Sequence, residues 1–572
     1  MRISPINSIL TTEQKINTNK KFNLFYSTPI NNTINDTVSF KGKPIANIIN
    51  VPLDKAISVG KSLSTSTSGH RAPYLSENFT KGIVELITLG AGAYAIKKAF
   101  DKGQSPRMLI GGDTRQASRE SLPEISKTLQ KMGVNVLNIE KPVPTPLLAM
   151  AARDYGVDLA VLMTASHNSW QDGGYNLVTK AGAIAPSNVT QSVANKMVDY
   201  AQMGKYFDNV NSYGKETKIY PYELYKNNLE KSGLIDWNKI KKSGLVVYYD
   251  ALNGTGQYVM PKLLEDYGIN YVSVESSGQE GPNPTDKNLG MLKESVKQNA
   301  GHTFDTPKLK IGLSNDGDAD RFGVVDENGN FVNANDVILL VGYHLAKNKG
   351  KTGAIIRSQA TSKMLDVLAD KYGLEKYETP VGFKYIAEDI MKLRENGKDI
   401  LVAGEESGGL TVNGHIPEKD GIIALSLIMD LIATESKPLS VILNDLKSEL
   451  GVTYLIDNFS KKVTDDNAKN EIMHKFEKLY NGAITGDVKF GPEHRIDTQK
   501  TYALRKSMED YREGGDGIKL ILTDGSTVLL RKSGTEPLIK CYIEAYGKTP
   551  EAAEENRKTL HDIVDRFIFA EN

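Results

Sequence analysis

Residues 161–174, VLMTASHNSWQDGG, join a short apolar run to a group of polar residues that are common in reactive sites. The run at 161–163 has the composition of a buried strand, and TASHN follows it at once. The paired glycines at the end of the stretch allow a tight return of the chain. Two interpretations are open: a polar surface turn, or a nucleophilic Ser166 presented at the end of a strand.

Outward from this stretch, short apolar runs alternate with segments of helical periodicity. The runs predict strands at residues 108–110, 245–249, 354–356 and 400–403, and the periodic segments predict helices at 122–132, 258–267, 362–372 and 420–434. This alternation is typical of layered α/β domains, although no fixed repeat period is visible. After about residue 452, a hairpin around Asp524-Gly525, a strand at 538–545 and a helix at 552–567 predict a smaller α+β domain.

The composition of the 572 residues excludes several classes of protein. Lys and Arg total 70 and Asp and Glu total 70, so no net charge favours nucleic acid or an anionic membrane as a partner. The single cysteine excludes an intrachain disulfide and a cysteine-rich zinc site. The most apolar segment, residues 421–433, contains Asp430 and is too short to span a bilayer, so a buried helix is expected.

Residues 1–55 are rich in Asn, Thr, Ser and Lys and are predicted to be a disordered extension. They lack the uninterrupted apolar segment of a secretory signal, and cytoplasm is the expected location. Their excess of basic residues leaves an organellar transit peptide as an alternative.

The strongest chemical signal is NDGDADR at residues 315–321. In an extended chain, a period of two places Asp316, Asp318 and Asp320 on one face. Three carboxylates this close repel each other unless a cation lies between them, and Mg²⁺ prefers such hard oxygen ligands. The alternatives are a solvated acidic turn and a calcium loop, although Arg321 replaces the glycine of the calcium-loop pattern.

Further polar loops could bind a phosphorylated sugar. RKSGTEP at 531–537 combines an arginine, two hydroxyls and a glycine, which is typical of phosphate binding, while GEESGG at 404–409 could bind several sugar hydroxyls. TSGHR at 67–71 and TPVGFK at 379–384 add Arg71 and Lys384. Taken alone, RKSGTEP is equally well explained as a polar surface turn, and GEESGG and Lys384 are better explained as solvated surface residues. Together with a serine and a divalent cation, which could activate the hydroxyl, they favour phosphoryl transfer between positions of a sugar.

In order and spacing, TASHN, DGDADR, GEESGG and RKSGTEP resemble the motifs of the α-D-phosphohexomutase superfamily. TSGHR, GGDTR, PTP (144–146), DALNGTG (250–256), PNPTDKNL (282–289) and PVGFK (380–384) match as well, so the resemblance covers roughly residues 58–570. It implies three related α/β domains with mixed sheets and a C-terminal α+β domain similar to the TATA-binding-protein fold, around a central cleft. The expected domains are residues 56–228, 229–333, 334–452 and 453–572.

The resemblance also implies roles for individual residues. Ser166 corresponds to a phosphoserine that holds Mg²⁺ together with Asp316, Asp318 and Asp320. The other expected catalytic residues are His167, Arg71, Arg321 and Lys384. The expected substrate-binding residues are Glu405 and Ser407 for the sugar, and Arg531, Ser533, Gly534 and Thr535 for the phosphate that does not react.

The implied reaction interconverts glucose 1-phosphate and glucose 6-phosphate. Glucose 1,6-bisphosphate would be the intermediate, would turn around in the cleft, and would also prime the enzyme as an activator. GEESGG and the following GHIPEKDG (414–421) are more similar to glucose-preferring than to dual-specificity enzymes. Phosphomannomutase, phosphoglucosamine mutase and phosphopentomutase activities are the alternatives, and both a monomer and a homodimer remain open.

Two positions depart from the superfamily pattern. The proline that commonly follows SHN is Ser169, and the lysine that commonly ends the loop is Asn176. A cation lost beside a transferring phosphoryl group would reduce stabilisation of the transition state. A non-catalytic, sugar-phosphate-binding homologue is therefore a further alternative.

Overall fold

The computed structural model describes residues 46–66, 69–209, 213–276, 281–301, 308–485, 502–503, 517–532 and 538–569. They form three α/β domains with mixed sheets and a fourth, α+β domain, which confirms the predicted fold class. Within these ranges, no helix combines the length and the hydrophobicity that crossing a membrane requires.

The first domain has a six-stranded sheet with buried clusters on both faces, where Leu109 packs on one side and Met108 and Ile110 on the other. The strands of this part of the chain are β1 (Ala46–Ile48), β2 (His70–Pro73), β3 (Arg107–Gly112), β4 (Asn135–Ile139), β5 (Leu159–Met163), β6 (Asp172–Val178), β7 (Lys205–Phe207) and β8 (Glu216–Ile219). The helices are α1 (Leu53–Thr65), α2 (Lys81–Asp101), α3 (Gln116–Lys131), α4 (Thr145–Asp154) and α5 (Ser187–Met203). The sheet order is β2-β6-β5-β3-β4-β8.

Strand β1 and the start of α1 lie within the segment that the sequence predicts to be disordered. Strand β1 pairs with the distant β7, and Val51 and Ala56 are buried in the core of the first domain. Because these partners are far away in the sequence, local composition does not reveal them. The fold therefore includes residues 46–55, while residues 1–45 lie outside the described residues.

The second domain has the sheet order β10-β9-β11-β12-β13. Its elements are α6 (Tyr222–Ser232), α7 (Trp237–Ser243), β9 (Val246–Asp250), a 3₁₀ turn (Thr255–Tyr258), α8 (Met260–Tyr267), β10 (Asn270–Ser273), α9 (Gly290–Lys297), β11 (Lys310–Asn315), β12 (Phe322–Val325) and β13 (Phe331–Val332).

The third domain has the sheet order β15-β14-β16-β17. Its elements are α10 (Ala334–Tyr343), a wide helical turn (His344–Asn348), β14 (Ala354–Ser358), α11 (Met364–Tyr372), β15 (Lys376–Thr379), α12 (Phe383–Glu395), β16 (Ile400–Glu405), β17 (Gly409–Val412), α13 (Gly421–Glu435) and α14 (Leu439–Leu450). Every residue of α13 up to Ala433 is buried, which confirms the predicted buried helix.

The first three domains share one strand topology. In each, a first strand has a parallel neighbour on either side, and the third strand returns through a hairpin into an antiparallel fourth strand. The strand sets are β3 to β6, β9 to β12 and β14 to β17. The loop between the third and fourth strands carries TASHN in the first domain, DGDADR in the second and residues 406–408 of GEESGG in the third. The three motifs therefore occupy equivalent places in related sheets.

The fourth domain has an antiparallel sheet in the order β18-β22-β21-β20-β19. Its elements are β18 (Thr453–Lys462), α15 (Asp466–Thr485), β19 (Tyr502–Ala503), β20 (Gly517–Ile521), β21 (Thr527–Lys532), β22 (Leu538–Gly547), α16 (Pro550–Val564) and a final helical turn (Asp565–Phe569). The β20–β21 hairpin confirms the turn predicted at Asp524-Gly525, where Gly525 has a φ of 97°. Ser533, Gly534 and Thr535 lie outside the described residues.

Candidate active site

The loop that follows β5 holds Ser166 in a strained backbone conformation. Ser166 has a φ of 51°, in the left-handed region that non-glycine residues seldom adopt. Its amide donates to Thr164 Oγ1 at 2.8 Å, and that hydroxyl in turn donates to Asp113 Oδ2 at 2.7 Å. A Cβ at Gly174 would lie 1.9 Å from the carbonyl oxygen of Thr164, so the return strand requires glycine there. The loop is therefore fixed by its neighbours.

Arg115 holds the same loop through hydrogen bonds to two of the loop's carbonyl oxygens. Its Nη2 donates to the carbonyl oxygens of Ser166 and Asn168, both at 2.6 Å, and its guanidinium lies 5.0 Å from the centre of the Trp170 ring. The side chain is fully buried, and its Nη1 lies 3.5 Å from Asp113 Oδ2; within the described part of the chain, neither Nε nor Nη1 has a hydrogen-bond partner. In the sequence, Arg115 of GGDTR is only a weak candidate for a functional residue, because its two carbonyl partners are distant in the chain.

The hydroxyl of Ser166 meets the acidic trio of the second domain. Ser166 Oγ donates to Asp316 Oδ2 at 2.8 Å, and one carboxylate oxygen each from Asp316, Asp318 and Asp320 lie within 4.8 Å of one another. All three aspartates are buried. Within the described ranges, this is the one cluster of three potential metal ligands with such spacing.

The trio has the properties of a cation site. Among the residues that the structure describes, Asp318 Oδ1 and Asp320 Oδ1 are buried and have no hydrogen-bond partner. Burial, followed by repulsion from Asp318 and Asp320, raises the pKa of Asp316 well above its ordinary value. A divalent cation would satisfy the unpaired oxygens and cancel the repulsion, and a set of three carboxylates and one hydroxyl oxygen suits Mg²⁺.

The loop with the three aspartates, DGDADR at 316–321, is called the metal loop below, and it contacts the first domain at two points. Thr145, the first residue of α4, donates through its hydroxyl to Asp318 Oδ2 at 2.7 Å and through its amide to the Asp318 carbonyl at 2.8 Å. A Cβ at Gly317 would lie 2.6 Å from the Ser166 carbonyl, so glycine allows the two loops to touch. The PTP motif, whose role the sequence left open, therefore positions one candidate metal ligand.

Cations surround the serine and the aspartates. Arg71 pairs in the sheet with Gly174 and lies 3.4 Å from Asn168 Oδ1, while Arg321 Nε lies 3.9 Å from Asp320 Oδ1. His167 Nδ1 lies 3.4 Å from Ser166 Oγ. The charge of Arg321, then burial and the charge of Arg71, hold the pKa of His167 well below its usual range, so the ring is neutral at pH 7.

Lys419 is a cation of the site that the sequence analysis did not single out. It comes from GHIPEKDG in the third domain, and its Nζ lies 3.0 Å from Asp320 Oδ2 and 3.3 Å from Glu418 Oε1. Burial opposes its charge, but Asp320 and Glu418 outweigh that cost and raise the pKa of Lys419. The signal was present as a lysine between two acidic residues, but its contact with Asp320 depends on the tertiary fold.

The GEESGG segment of the third domain, residues 404–409, is called the sugar loop below, and it contacts the metal loop. The amide of Phe322 donates to the Gly408 carbonyl at 3.0 Å, and Ser407 Oγ donates to Glu405 Oε1 at 2.7 Å. The negative charge of Glu405 acts on both Arg321 and Lys419. The structure therefore brings Glu405 and Ser407 beside the residues that surround the aspartates.

The second glutamate of GEESGG has different neighbours. Glu406 Oε2 accepts hydrogen bonds from Ser358 Oγ at 2.8 Å and from Thr361 Oγ1 at 3.3 Å. Burial, followed by the charge of Glu405, raises the pKa of Glu406. Glu406 thus anchors the sugar loop to the end of β14.

Arg531 and Lys384 lie at the boundary between the third and fourth domains. Burial lowers the pKa of Lys384, and the charge of Arg531 acts in the same direction. Arg531 also interacts with Glu406 and Tyr542. Lys540 is opposite Arg531 in the sheet, and its positive charge contributes to the lowered pKa of His167.

Four profiles of one family match this chain. They are described as phosphoglucomutase/phosphomannomutase alpha/beta/alpha domain I at residues 62–203, domain II at 223–329, domain III at 333–449 and the C-terminal domain at 495–560. The chain belongs to the phosphoglucomutase/phosphomannomutase family. It is therefore an enzyme of the phosphohexomutase type, an isomerase that transfers a phosphoryl group within its substrate.

Curated relatives cover most of the chain. A phosphoglucosamine mutase of Carboxydothermus hydrogenoformans is 27% identical over 490 residues, which are 84% of this chain and 92% of the relative. A phosphoglucomutase/phosphomannomutase of Thermococcus kodakarensis is 28% identical over 458 residues, which are 79% and 88% of the two chains.

Two solved structures share the fold. The open form of parafusin, a phosphoglucomutase from Paramecium, superposes with a TM-score of 0.73 at 19% identity, covering 92% of this chain and 98% of the other. A phosphoglucomutase/phosphomannomutase family protein from Burkholderia thailandensis has a TM-score of 0.64 at 19% identity, covering 90% and 99%.

Proposed function

We propose that this family member is a phosphoglucomutase that interconverts glucose 1-phosphate and glucose 6-phosphate through phospho-Ser166. The observation that carries the proposal is the hydrogen bond of 2.8 Å between Ser166 Oγ and Asp316, inside a buried trio of carboxylates and beside the GEESGG loop. This arrangement supports a serine that gains and loses a phosphoryl group next to a bound sugar.

In the first step, a hydroxyl of the hexose phosphate attacks the phosphorus of phospho-Ser166. The new P–O bond forms as the bond to Ser166 Oγ breaks; the attacking hydroxyl gives up its proton and the leaving serine oxygen takes one up. His167 fits the exchange of the Ser166 proton, because its Nδ1 lies 3.4 Å from Ser166 Oγ and its neutral imidazole can accept that proton when Ser166 attacks the bisphosphate in the second step. Arg71 and Arg321 would stabilise the charge on the phosphoryl oxygens, since phosphoryl transfer depends mainly on positioning and charge neutralisation.

Asp316, Asp318, Asp320 and the serine oxygen are the residues that would hold Mg²⁺. When bound, the ion would neutralise negative charge on the phosphoryl group and on the oxygen of Ser166. The unpaired oxygens of Asp318 and Asp320 support this assignment.

The second step requires glucose 1,6-bisphosphate to turn around and return its other phosphate to Ser166. Glu405 and Ser407 would bind the sugar hydroxyls in both orientations, because their paired carboxylate and hydroxyl can accept and donate hydrogen bonds. Arg531, Ser533, Gly534 and Thr535, assisted by Lys384, would hold the phosphate that is not reacting. Free glucose 1,6-bisphosphate would act as the activator that restores phospho-Ser166.

A phosphoglucosamine mutase is the second candidate, because several of the curated relatives carry that name. The GEESGG and GHIPEKDG sequences favour glucose. Glucose and glucosamine have the same hydroxyls at carbons 3 and 4, so a loop that binds these hydroxyls distinguishes the two sugars weakly.

The test is a comparison of kcat/KM for glucose 1-phosphate, glucosamine 1-phosphate and mannose 1-phosphate, with Mg²⁺ and the matching bisphosphate. We expect the highest value for glucose 1-phosphate; a higher value for either other sugar would replace the glucose assignment. Ser166→Ala should abolish both turnover and the phosphate detected on the intact protein by mass spectrometry. Retention of turnover by this variant would refute the role of Ser166.

A further inference from the structure

Lys519, on β20 of the fourth domain, inserts its ammonium into the third domain. Lys519 Nζ donates to Glu378 Oε2 at 2.9 Å and to the Gln359 carbonyl at 3.2 Å. Only 2% of its side chain is exposed. A buried ammonium is stable only where its partners are in place, so this contact specifies one way of docking the two domains.

In the third domain, the carboxylate of Glu378 is already held in place to accept a hydrogen bond from this lysine. Glu378 also accepts from Arg357 Nη1 at 2.7 Å, and Arg357 is held by Asp366, whose Oδ1 lies 2.7 Å from its Nε. Glu378 is therefore oriented before Lys519 arrives. The one carboxylate of Glu378 accepts hydrogen bonds from two cations, Arg357 and Lys519.

The contacts that flank Lys519 are mostly polar. The amide of Lys363 donates to Glu544 Oε1 at 2.6 Å, and Lys363 Nζ donates to the Gly525 carbonyl at 3.0 Å. The apolar part is small and centres on Ala360 against Leu529. An interface of this composition can separate and be solvated, unlike a continuous hydrophobic core.

The position of Lys519 in the sheet connects this docking contact to the substrate site. Lys519 is paired with Leu529 on β21, and Arg531 lies two residues further along that strand. Arg531 acts on Glu406 and Lys384 of the third domain. Docking of Lys519 therefore fixes the strand that carries Arg531 relative to the sugar loop.

We propose that Lys519 is a positioning residue that docks the fourth domain on the third and so retains the bisphosphate intermediate while it turns. The proposal rests on the proposed function. If the docked state is lost, glucose 1,6-bisphosphate leaves more often before the second transfer. Each escape leaves Ser166 without a phosphoryl group, and the enzyme must be primed again by free bisphosphate.

The test uses the full chain with Lys519→Met, which keeps the length of the side chain and removes its charge, and Glu378→Gln, which weakens the same contact from the other side. The matched control is Lys548→Met, at an exposed lysine just beyond β22. The measurement is the concentration of glucose 1,6-bisphosphate that gives half-maximal turnover.

For both variants we expect this concentration to rise about tenfold, which corresponds to ~1.4 kcal/mol of lost docking free energy. Saturating bisphosphate should restore kcat to near that of the wild type, which a simple loss of folded protein would not allow. In a single turnover with labelled phospho-enzyme, both variants should release more labelled bisphosphate. The control should match the wild type in each measurement.

The proposal is overturned if Lys519→Met and Glu378→Gln need no more bisphosphate than Lys548→Met. It is also overturned if saturating bisphosphate fails to restore a variant whose folding is normal by circular dichroism. Should Lys519→Met not fold, Glu378→Gln alone decides the question. If the wild type prefers another hexose phosphate, the same assay is run with that sugar and its bisphosphate, so failure of the glucose assignment remains distinguishable from failure of the docking role.

Discussion

Replacing Asp318 with asparagine is the most direct test of the proposed metal site. The change is nearly isosteric, and the remaining carbonyl oxygen can still accept the hydrogen bond from Thr145. The carboxylate oxygens lie within 4.8 Å of one another, so at an effective dielectric constant of about 20 each pair of full charges costs at least ~3.5 kcal/mol. Without the charge of Asp318, two of these repulsions disappear.

The gain in the free energy of unfolding is smaller than the sum of these two repulsion energies. Protonation of Asp316 and Asp320, whose pKa values are raised, already relieves part of the repulsion, and Lys419 and Arg321 offset more of it. We therefore expect Asp318→Asn to stabilise the metal-free protein by about 1–3 kcal/mol. For a cooperative unit of about 150–250 residues, that raises the melting temperature of the metal-dependent transition by about 2–12 °C.

The assay is thermal unfolding in EDTA and in a series of Mg²⁺ concentrations. In the wild type, Mg²⁺ at 100 times its dissociation constant should add ~2.7 kcal/mol of stability, whereas Asp318→Asn should lose most of this gain. Asp286→Asn, on the exposed surface of the same domain, is the control for the change in net charge. The reasoning is refuted if Asp318→Asn is no more stable than the control in EDTA and still gains as much from Mg²⁺ as the wild type.

Three further substitutions test neighbouring parts of the site. Arg115→Lys should lower kcat roughly 10–100-fold with little change in KM, because the donor shared by the Ser166 and Asn168 carbonyls is lost. Steady-state kinetics test this, with Arg119→Lys at an exposed position as the control. Equal kcat values for the two variants would contradict the prediction. Lys419→Met leaves Asp320 and Glu418 without their cation and should cost about 3 kcal/mol in urea unfolding, and unchanged stability would show that the contact is dispensable. The raised pKa of Glu406 means that the folded state binds this proton more tightly than the unfolded state, so its contribution to stability falls as pH rises above the ordinary value of 4.5. Glu406→Gln should therefore gain stability over the wild type between pH 4.5 and pH 8, and a difference in melting temperature that stays constant over that range would disprove the effect.

The elements that the sequence predicted well are those whose signals are local. The strand before TASHN, the buried helix α13 and the turn at Asp524-Gly525 each depend on residues that are adjacent in the chain. The acidic trio could be predicted as a site for the same reason, since alternation in one segment places its three carboxylates together.

Contacts between distant segments could not be predicted in this way. The pairing of β1 with β7, the support of the Ser166 loop by Arg115 and the contact of Lys419 with Asp320 each join parts of the chain that come together only in the folded protein. Composition at residues 46–55 favoured disorder because the segment contains little apolar periodicity, whereas in the fold its strand β1 pairs with β7 and its Val51 is buried. The roles of Ser533, Gly534 and Thr535 stay predictions, because these residues lie outside the described part of the chain.

The position of Asn176 shows how the site differs from the pattern its family resemblance implied. Asn176 is buried on β6, and its Nδ2 donates to the Thr164 carbonyl at 2.8 Å and lies 3.4 Å from that of Leu162. Its amide therefore holds the base of the serine loop and supplies no positive charge to the cleft. Lys419 places an ammonium 3.0 Å from Asp320, on the side of the trio that faces the third domain.

Positive charge at the site is thus distributed over three domains, with Arg71 from the first, Arg321 from the second and Lys419 from the third. Since each cation lies on or beside one of the loops at equivalent places in the three sheets, the charge balance depends on how the domains pack as much as on any one residue. A lysine at position 176 would place its charge within the first domain alone. The arrangement here instead makes full neutralisation of the aspartates depend on correct assembly of the first three domains, so substitutions at the contacts between these domains should lower catalysis although they touch no reacting group.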